Sequence, residues 1–213
     1  MSVCRRTLST IEPGFPFGTQ LLFSIPSAVI LDPASCILLP CELHASCIVK
    51  PRLVGFLYPQ QIIWNKQRTV LTRTHYWYQH EPCWYVRKKN APWFGKAGEN
   101  STIWDSPSPK FIMGGSDEAK FDHPTQKPVE LMRRPILNHL KRGQLVYDPF
   151  LGSGTTLAAA ELTERACVGI ELDPKYVDVV IERWQTLTGK KATLGVNGRT
   201  LAEVAEERRE AAI

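Results

Sequence analysis

The chain has 213 residues, 43% of them hydrophobic and 22% charged. That composition supports a domain with a buried core and excludes a disordered or low-complexity chain. The net charge of +5 is compatible with a polyanionic partner, although mildly basic proteins are common.

The six cysteines (Cys4, Cys36, Cys41, Cys47, Cys83 and Cys167) form no Cys-x-x-Cys pair. No metal site is expected, and free thiols in a reducing cytoplasm are the simpler reading. The most apolar stretch, Leu21 to Leu39, is interrupted by Pro26, Asp32 and Pro33, so no membrane segment is expected. Arg5-Arg6 leads into Glu12, Pro13, Gly14 and Pro16 rather than the apolar core of a signal peptide.

Residues 1–40 are rich in Pro, Gly and Ser and read as a divergent N-terminal segment. Ala28 to Leu31 is its one candidate strand, ending at Asp32-Pro33. The main domain is taken as 41–192. Glu42 to Val49 could open a helix limited by Pro51. Gln60 to Lys66 and Glu81 to Arg87 read as strands. Between them, Arg68, Arg73, His75 and His80 alternate with Tyr76, Trp77 and Tyr78. Phosphate contact and base stacking need these types together, and an aromatic hairpin packed on a sheet uses them too. No acid or cysteine joins the two histidines as metal ligands. Ala91 to Phe121 reads as a loop anchored by Trp93 and Trp104. A loop of about thirty residues is functional or mobile.

Asp122-His-Pro-Thr-Gln-Lys-Pro128 leads into a helix from Val129 to Leu140, with a kink or break expected at Pro135. Leu145 to Tyr147 is a short strand closed by Asp148-Pro149. Gly152-Ser153-Gly154 is a turn that lets backbone approach a ligand, and Thr155 to Leu162 is an alanine-rich helix. Cys167 to Leu172 is a further strand, ending in Glu171 and Asp173. No lysine follows the glycines as a P-loop requires, and Leu157 replaces the third glycine of a nicotinamide site. Glu171 lies about twenty residues past the turn, where a dinucleotide fold keeps its ribose-binding acid. Pro174 starts a helix to about Leu187, whose Tyr176, Val177, Val180, Ile181 and Trp184 mark a core-facing stripe, with Gly189 as C-cap. Residues 193–213 read as a solvated helical tail.

Asp148-Pro-Phe-Leu-Gly-Ser-Gly-Thr-Thr156 followed by Gly169-Ile-Glu-Leu-Asp-Pro-Lys-Tyr176 resembles the S-adenosylmethionine site of the amino-group DNA methyltransferases, which methylate adenine N6 or cytosine N4. The His123 to Pro128 run resembles the segment that closes over the cofactor in that family. Ile62 to Lys66 and His80 to Tyr85 resemble the strands after its catalytic region. The motif order resembles the arrangement with the catalytic region before the cofactor region. The resemblance implies an α/β fold with a doubly wound, mostly parallel sheet, incomplete here, and an antiparallel edge from the Glu81 strand. It implies S-adenosylmethionine held by Asp148, Phe150, Gly152, Ser153, Gly154, Thr155, Glu171 and Asp173, with Thr125 and Lys127 at the methionine carboxylate. It implies double-stranded DNA as substrate, contacted by Arg68, Arg73, His75, Tyr76 and Trp77, with adenine N6 the favoured target. A homodimer is compatible with the sequence.

The chain departs from the family at one point. The catalytic tetrapeptide (Asp, Asn or Ser, then Pro-Pro and an aromatic) is absent, and the upstream candidate is Asp32 in Asp32-Pro33-Ala34-Ser35. An exocyclic amine is a poor nucleophile, so the site must accept its hydrogens and hold its nitrogen in line with the methyl group. Two functions are therefore carried forward: a DNA methyltransferase, or a truncated relative that binds cofactor or DNA without turnover.

Overall fold

The computed structural model describes residues 29–31, 36–40, 60–71, 73–96, 98–109, 118–119, 121 and 126–210. Asp32, Thr125 and the expected helix at Glu42 lie outside them. Seven strands form one sheet: β1 (Val29–Leu31), β2 (Cys36–Pro40), β3 (Gln60–Val70), β4 (Tyr78–Arg87), β5 (Ile103–Asp105), β6 (Leu145–Asp148) and β7 (Ala166–Gly169). Their order across the sheet is β5-β3-β4-β2-β1-β6-β7. Only β3–β5 and β6–β7 are parallel neighbours; the other ladders are antiparallel. Five strands nonetheless run one way, with β1 and β4 reversed. The mostly parallel sheet therefore holds for strand direction but not for strand adjacency.

Several strand placements differ from the sequence reading. The Glu81 strand is reversed as expected, but it lies inside the sheet, because β2 pairs along its far side from Cys36↔Arg87 to Pro40↔Cys83. Residues 29–40, set apart as divergent, supply two central strands. β5 was hidden in the loop after Ala91, and only its pairing with β3 defines it.

Helix α1 (Val129–His139) runs unbroken through Pro135. A proline removes one helical hydrogen bond. Here Leu131, Pro135, Ile136 and His139 all face the core, and that burial holds the helix together. Helix α2 (Thr155–Leu162) buries Ala158, Ala159 and Ala160, and Ala159 and Ala160 pack in one core with Ile136 of α1, their small side chains letting the two helices approach. Ile136, Leu140, Val146, Ala159, Ala160 and Cys167 form the resulting core. A second cluster joins Leu131 of α1 to Ile62, Trp64 and Trp104 of the sheet. Helix α3 (Pro174–Thr188) packs on α2 and ends at Gly189, whose φ of +68° is the left-handed cap expected of glycine. Helix α4 (Leu201–Glu210) buries no residue and is capped reciprocally by Thr200 and Glu203. No helix of the described residues is long and apolar enough to cross a membrane.

His139 closes the far end of α1. Its Nδ1 donates to the Pro92 carbonyl at 2.6 Å, and its Nε2 accepts from the Tyr85 hydroxyl at 3.1 Å. Burial pushes its pKa below the ordinary value, outweighing the Pro92 bond; Arg87 pushes the same way. The folded protein thus holds a neutral imidazole, whereas the unfolded chain takes up a proton as pH falls through about 6.5. Stability from His139 should be intact above that value and decline as pH falls toward the folded pKa. Urea midpoints at pH 8 and pH 5.5 should show a smaller acid-side loss in His139→Gln than in wild type. An equal loss in both would mean that His139 titrates freely.

Candidate functional site

β6 and β7 are parallel, with Asp148 opposite Gly169, so both carboxyl ends open on one side. The chain leaves β6 through Pro149 and Phe150 and turns at Gly152-Ser153-Gly154. Gly152 and Gly154 have φ of +54° and +75°, a region that side-chain-bearing residues rarely adopt. Glu171, just past β7, fastens this turn. Its Oε2 accepts from the Gly152 amide at 2.7 Å, and its Oε1 accepts from the Leu172 and Asp173 amides at 2.9 and 3.0 Å. Asp148 fastens it from below, accepting from the Phe150 amide at 3.0 Å and the Thr156 hydroxyl at 2.6 Å.

Each carboxylate oxygen has two lone pairs. Among the described residues, Oε1 of Glu171 has both engaged, whereas Oε2 has one left for a further donor. Leu172, next in the chain, is 96% exposed. Asp148 is almost wholly buried. Burial raises its carboxyl to about 6; Thr156 and Phe150 oppose this, and the neighbouring Glu171 charge adds to it.

Other expected site residues have structural partners. Asp173 caps α3, accepting from the Lys175 amide at 2.9 Å. Gly154 caps α2, and a side chain there would meet Val180 of α3 at 3.1 Å, so that glycine serves helix packing as well as the turn. Thr155 donates to the Lys127 carbonyl at 3.1 Å, tying the turn to the run before α1. The Lys127 ammonium lies 2.6 Å from Glu81, which also pairs with Lys66 at 2.6 Å. Both ammoniums lie over the Trp64 ring, 5.3 and 5.2 Å from its centre. Burial would raise the Glu81 carboxyl, but the two lysines outweigh it and hold the pKa below the ordinary value. Lys127 thus meets a protein carboxylate here.

Arg183 was missed. It lies on α3 beside the apolar stripe that the helical period marks, yet it is 4% exposed. Its guanidinium donates to the Ser153 carbonyl at 2.9 Å, to Thr155 at 3.1 Å and to Glu118 at 2.7 Å. A charged residue is usually read as solvated, and only the fold puts this one against the turn.

The expected DNA-facing residues lie on the β3–β4 hairpin, which reaches out at the same end of the sheet. A bulge between Asn65 and Val70 bends it. Asn65 pins the bulge, donating to Asp105 at 2.6 Å and accepting from the Gln67 amide and the Gln79 amide group, both at 3.1 Å. Beyond it the aromatic residues do not pack on the sheet: Tyr76 is 90% exposed and Trp77 50%. Arg73 and His75 are exposed and Arg68 is half-buried. Among the described residues, no three His, Cys, Asp or Glu side chains converge as a metal site.

β1, which leads to Asp32, runs antiparallel to β6 with Leu31 opposite Val146. The chain therefore leaves β1 at the end of the sheet away from the glycine turn.

The sheet order, the glycine turn and the acids at two adjacent strand ends define an α/β domain of the S-adenosylmethionine-dependent methyltransferase class. A family model described as DNA methylase, of the N6- and N4-type, matches residues 29–182, and the chain belongs to that family. Among its relatives, the DNA adenine methyltransferase YhdJ of Escherichia coli (strain K12) is 41% identical over 81 residues, 38% of this chain and 26% of that protein. The type II methyltransferase M.Cfr9I of Citrobacter freundii is 32% identical over 149 residues, 62% of this chain and 45% of that protein. The chain spans less than half the length of either relative. The crystal structure of the M1.HpyAVI–SAM complex superposes with a TM-score of 0.56 at 28% identity, over 71% of this chain and 76% of that one. The cytosine-N4-specific PvuII DNA methyltransferase shares the fold, with a TM-score of 0.56 at 17% identity over 70% and 65% of the two chains.

Because its folded pKa of about 6 exceeds the ordinary 3.8 of an aspartate, the contribution of Asp148 to stability is fully present below about 3.8 and is lost as pH rises through 6. Ionising it in place costs on the order of 3 kcal/mol. Carboxyl carbon-13 NMR should show Asp148 titrating near 6, and nearer the ordinary range in Glu171→Gln, which removes a neighbouring negative charge. An Asp148 signal titrating near 4 in the wild type would contradict the geometry.

Proposed function

We propose that this chain binds S-adenosylmethionine at the turn between β6 and α2, as part of an enzyme that methylates an exocyclic amine in double-stranded DNA. The observation that carries the reading is the bond from the Gly152 amide to Glu171 at the end of the next strand. It leaves one carboxylate lone pair for a ribose hydroxyl, and the exposed Leu172 beside it offers apolar surface to a planar ring. The residues fit the group: two glycines keep side chains off the turn, and Phe150 stands half-buried next to it. When bound, the cofactor supplies an electrophilic methyl group on a sulfonium. Lys127, and Thr125 in the same run, are proposed for its carboxylate, with Lys127 exchanging its Glu81 partner for the ligand. The M1.HpyAVI complex with SAM favours the cofactor, and the adenine methyltransferase YhdJ favours adenine N6.

The DNA reading rests on the hairpin. Exposed Tyr76 and Trp77 beside Arg68, Arg73 and His75 combine base-stacking surface with phosphate-binding charge. A cytoplasmic location fits such a substrate.

A second reading, cofactor or DNA binding without turnover, is favoured by the direction of β1. Its exit points away from the turn, and Asp32 itself lies outside the described residues. Glu81 faces lysines with both oxygens, so it offers the amine an acceptor only when Lys127 turns to the cofactor carboxylate, and Trp64 is too buried to stack on a base. Tritiated S-adenosylmethionine with unmethylated genomic DNA separates the readings. Turnover abolished in Asp32→Ala supports the enzyme, and retained cofactor without transfer supports the binder.

Calorimetry should show Leu172→Asp weakening S-adenosylmethionine at least about tenfold with unchanged thermal stability. Glu171→Ala should lose roughly 1.5–3 kcal/mol of binding along with some stability of the turn. Wild-type affinity in both variants would remove the site. For DNA, affinity should fall steeply with salt, and Arg68→Ala and Arg73→Ala should each lower the salt slope by about one. An unchanged slope in the double variant would place the duplex elsewhere.

A further inference from the structure

We infer that the buried Glu118–Arg183 pair is a latch that fastens Glu118, Gln126 and the start of α1 to the glycine turn, and that cofactor affinity depends on it. Arg183 is a positioning residue in this scheme, acting through the turn; the part that concerns cofactor rests on the proposed S-adenosylmethionine site.

The latch is a closed network. One guanidinium nitrogen of Arg183 serves the turn, reaching the Ser153 carbonyl, the Ser153 hydroxyl at 3.4 Å and the Thr155 hydroxyl. The other serves Glu118 Oε1. Glu118 Oε2 accepts from the Val129 amide at 2.9 Å and so fixes the first turn of α1, where Pro128 offers no side-chain cap. The Gln126 amide group donates to Glu118 Oε1 at 3.3 Å and to the Ala119 carbonyl at 2.9 Å, while its oxygen accepts from the Phe121 amide at 2.8 Å. Phe121 covers the guanidinium, its ring centre 5.3 Å away. The Lys127 carbonyl returns to Thr155. Glu118, Gln126, the first turn of α1, the glycine turn and α3 are therefore joined in one network around a single ion pair.

The physical reason for a dependence on both partners is burial. A guanidinium with 5% of its side chain exposed cannot be left to water if its carboxylate is removed. Lysine would keep the charge toward Glu118, but it lacks the planar fork that reaches the turn and the carboxylate together. With α3, the turn and α1 each packed independently, the segment between them is what should come loose.

The test uses the full chain, with Glu118→Gln, Arg183→Lys and the double variant. Two measurements are made: S-adenosylmethionine affinity by calorimetry, and amide hydrogen exchange of the peptide covering residues 118–131. The latch predicts at least about tenfold faster exchange in that peptide for each single variant, with the α2 and β6 amides unchanged. It also predicts about tenfold or greater loss of affinity, non-additive in the double variant because the two residues act as one unit. Exchange is read without cofactor, so it tests the latch even if the wild type fails to bind S-adenosylmethionine, a failure that would belong to the binding-site proposal. Wild-type exchange in both single variants overturns the latch. Faster exchange with wild-type affinity limits it to holding the segment and overturns its link to cofactor. Uniformly faster exchange across the chain would make the pair a general stability element and overturn it too.

Discussion

A tight turn exposes backbone amides that need acceptors, and here two carboxylates supply them. Glu171 takes three amides, from Gly152, Leu172 and Asp173; Asp148 takes one amide and a hydroxyl. Because the acids come from the ends of neighbouring strands, the turn is registered to the sheet and not only to its own chain. The arrangement crowds two negative groups, and the burial of Asp148 makes it the one that gives way, with its carboxyl raised to about 6. The rest of the site depends on this fastening, since α2 begins where the turn ends.

From there the helical layer extends the same order outward. Alanines on α2 admit α1, and α1 delivers Lys127 and Gln126 to the side of the turn. Paired charges then do what apolar packing cannot, because hydrogen bonds fix direction as well as distance. Arg183 with Glu118, and Glu81 between two lysines, each join segments far apart in the chain. Glu81 lies on β4 and Lys127 before α1, and their pairing ties the hairpin strands to the cofactor side of the domain.

The hairpin itself is built differently. Its tip leaves Tyr76 and half of Trp77 exposed, and Asn65 controls its direction through three hydrogen bonds at the bulge. Large aromatic surface left in water is costly unless something covers it, and charged neighbours favour an anionic polymer over another apolar face. The proposed cofactor site and the proposed duplex surface thus share one end of the sheet, while β1 carries the chain to the other.

The sequence alone determined the elements with strong local signals. Thr155 to Leu162 was legible from its alanines, the helix from Pro174 from its period and glycine cap, and the β6 turn from glycines flanked by an acid and threonines. Periodicity and turn chemistry are properties of neighbouring residues, so they survive in a one-dimensional reading. The same motifs carried the family. What depends on partners distant in the chain was decided by tertiary structure. β5 exists as a strand because β3 lies beside it, and the Glu81 strand is interior because β2 closes its far side. Pro135 stays helical because the core holds both its flanks. Asp173 and Gly154 proved to be caps, Lys127 found Glu81, and Arg183 entered the interior because Glu118 and the Ser153 carbonyl were there to receive its charge. Pairing of strands and of buried charges is set by whichever groups the fold brings within reach, and no spacing along the chain encodes that distance.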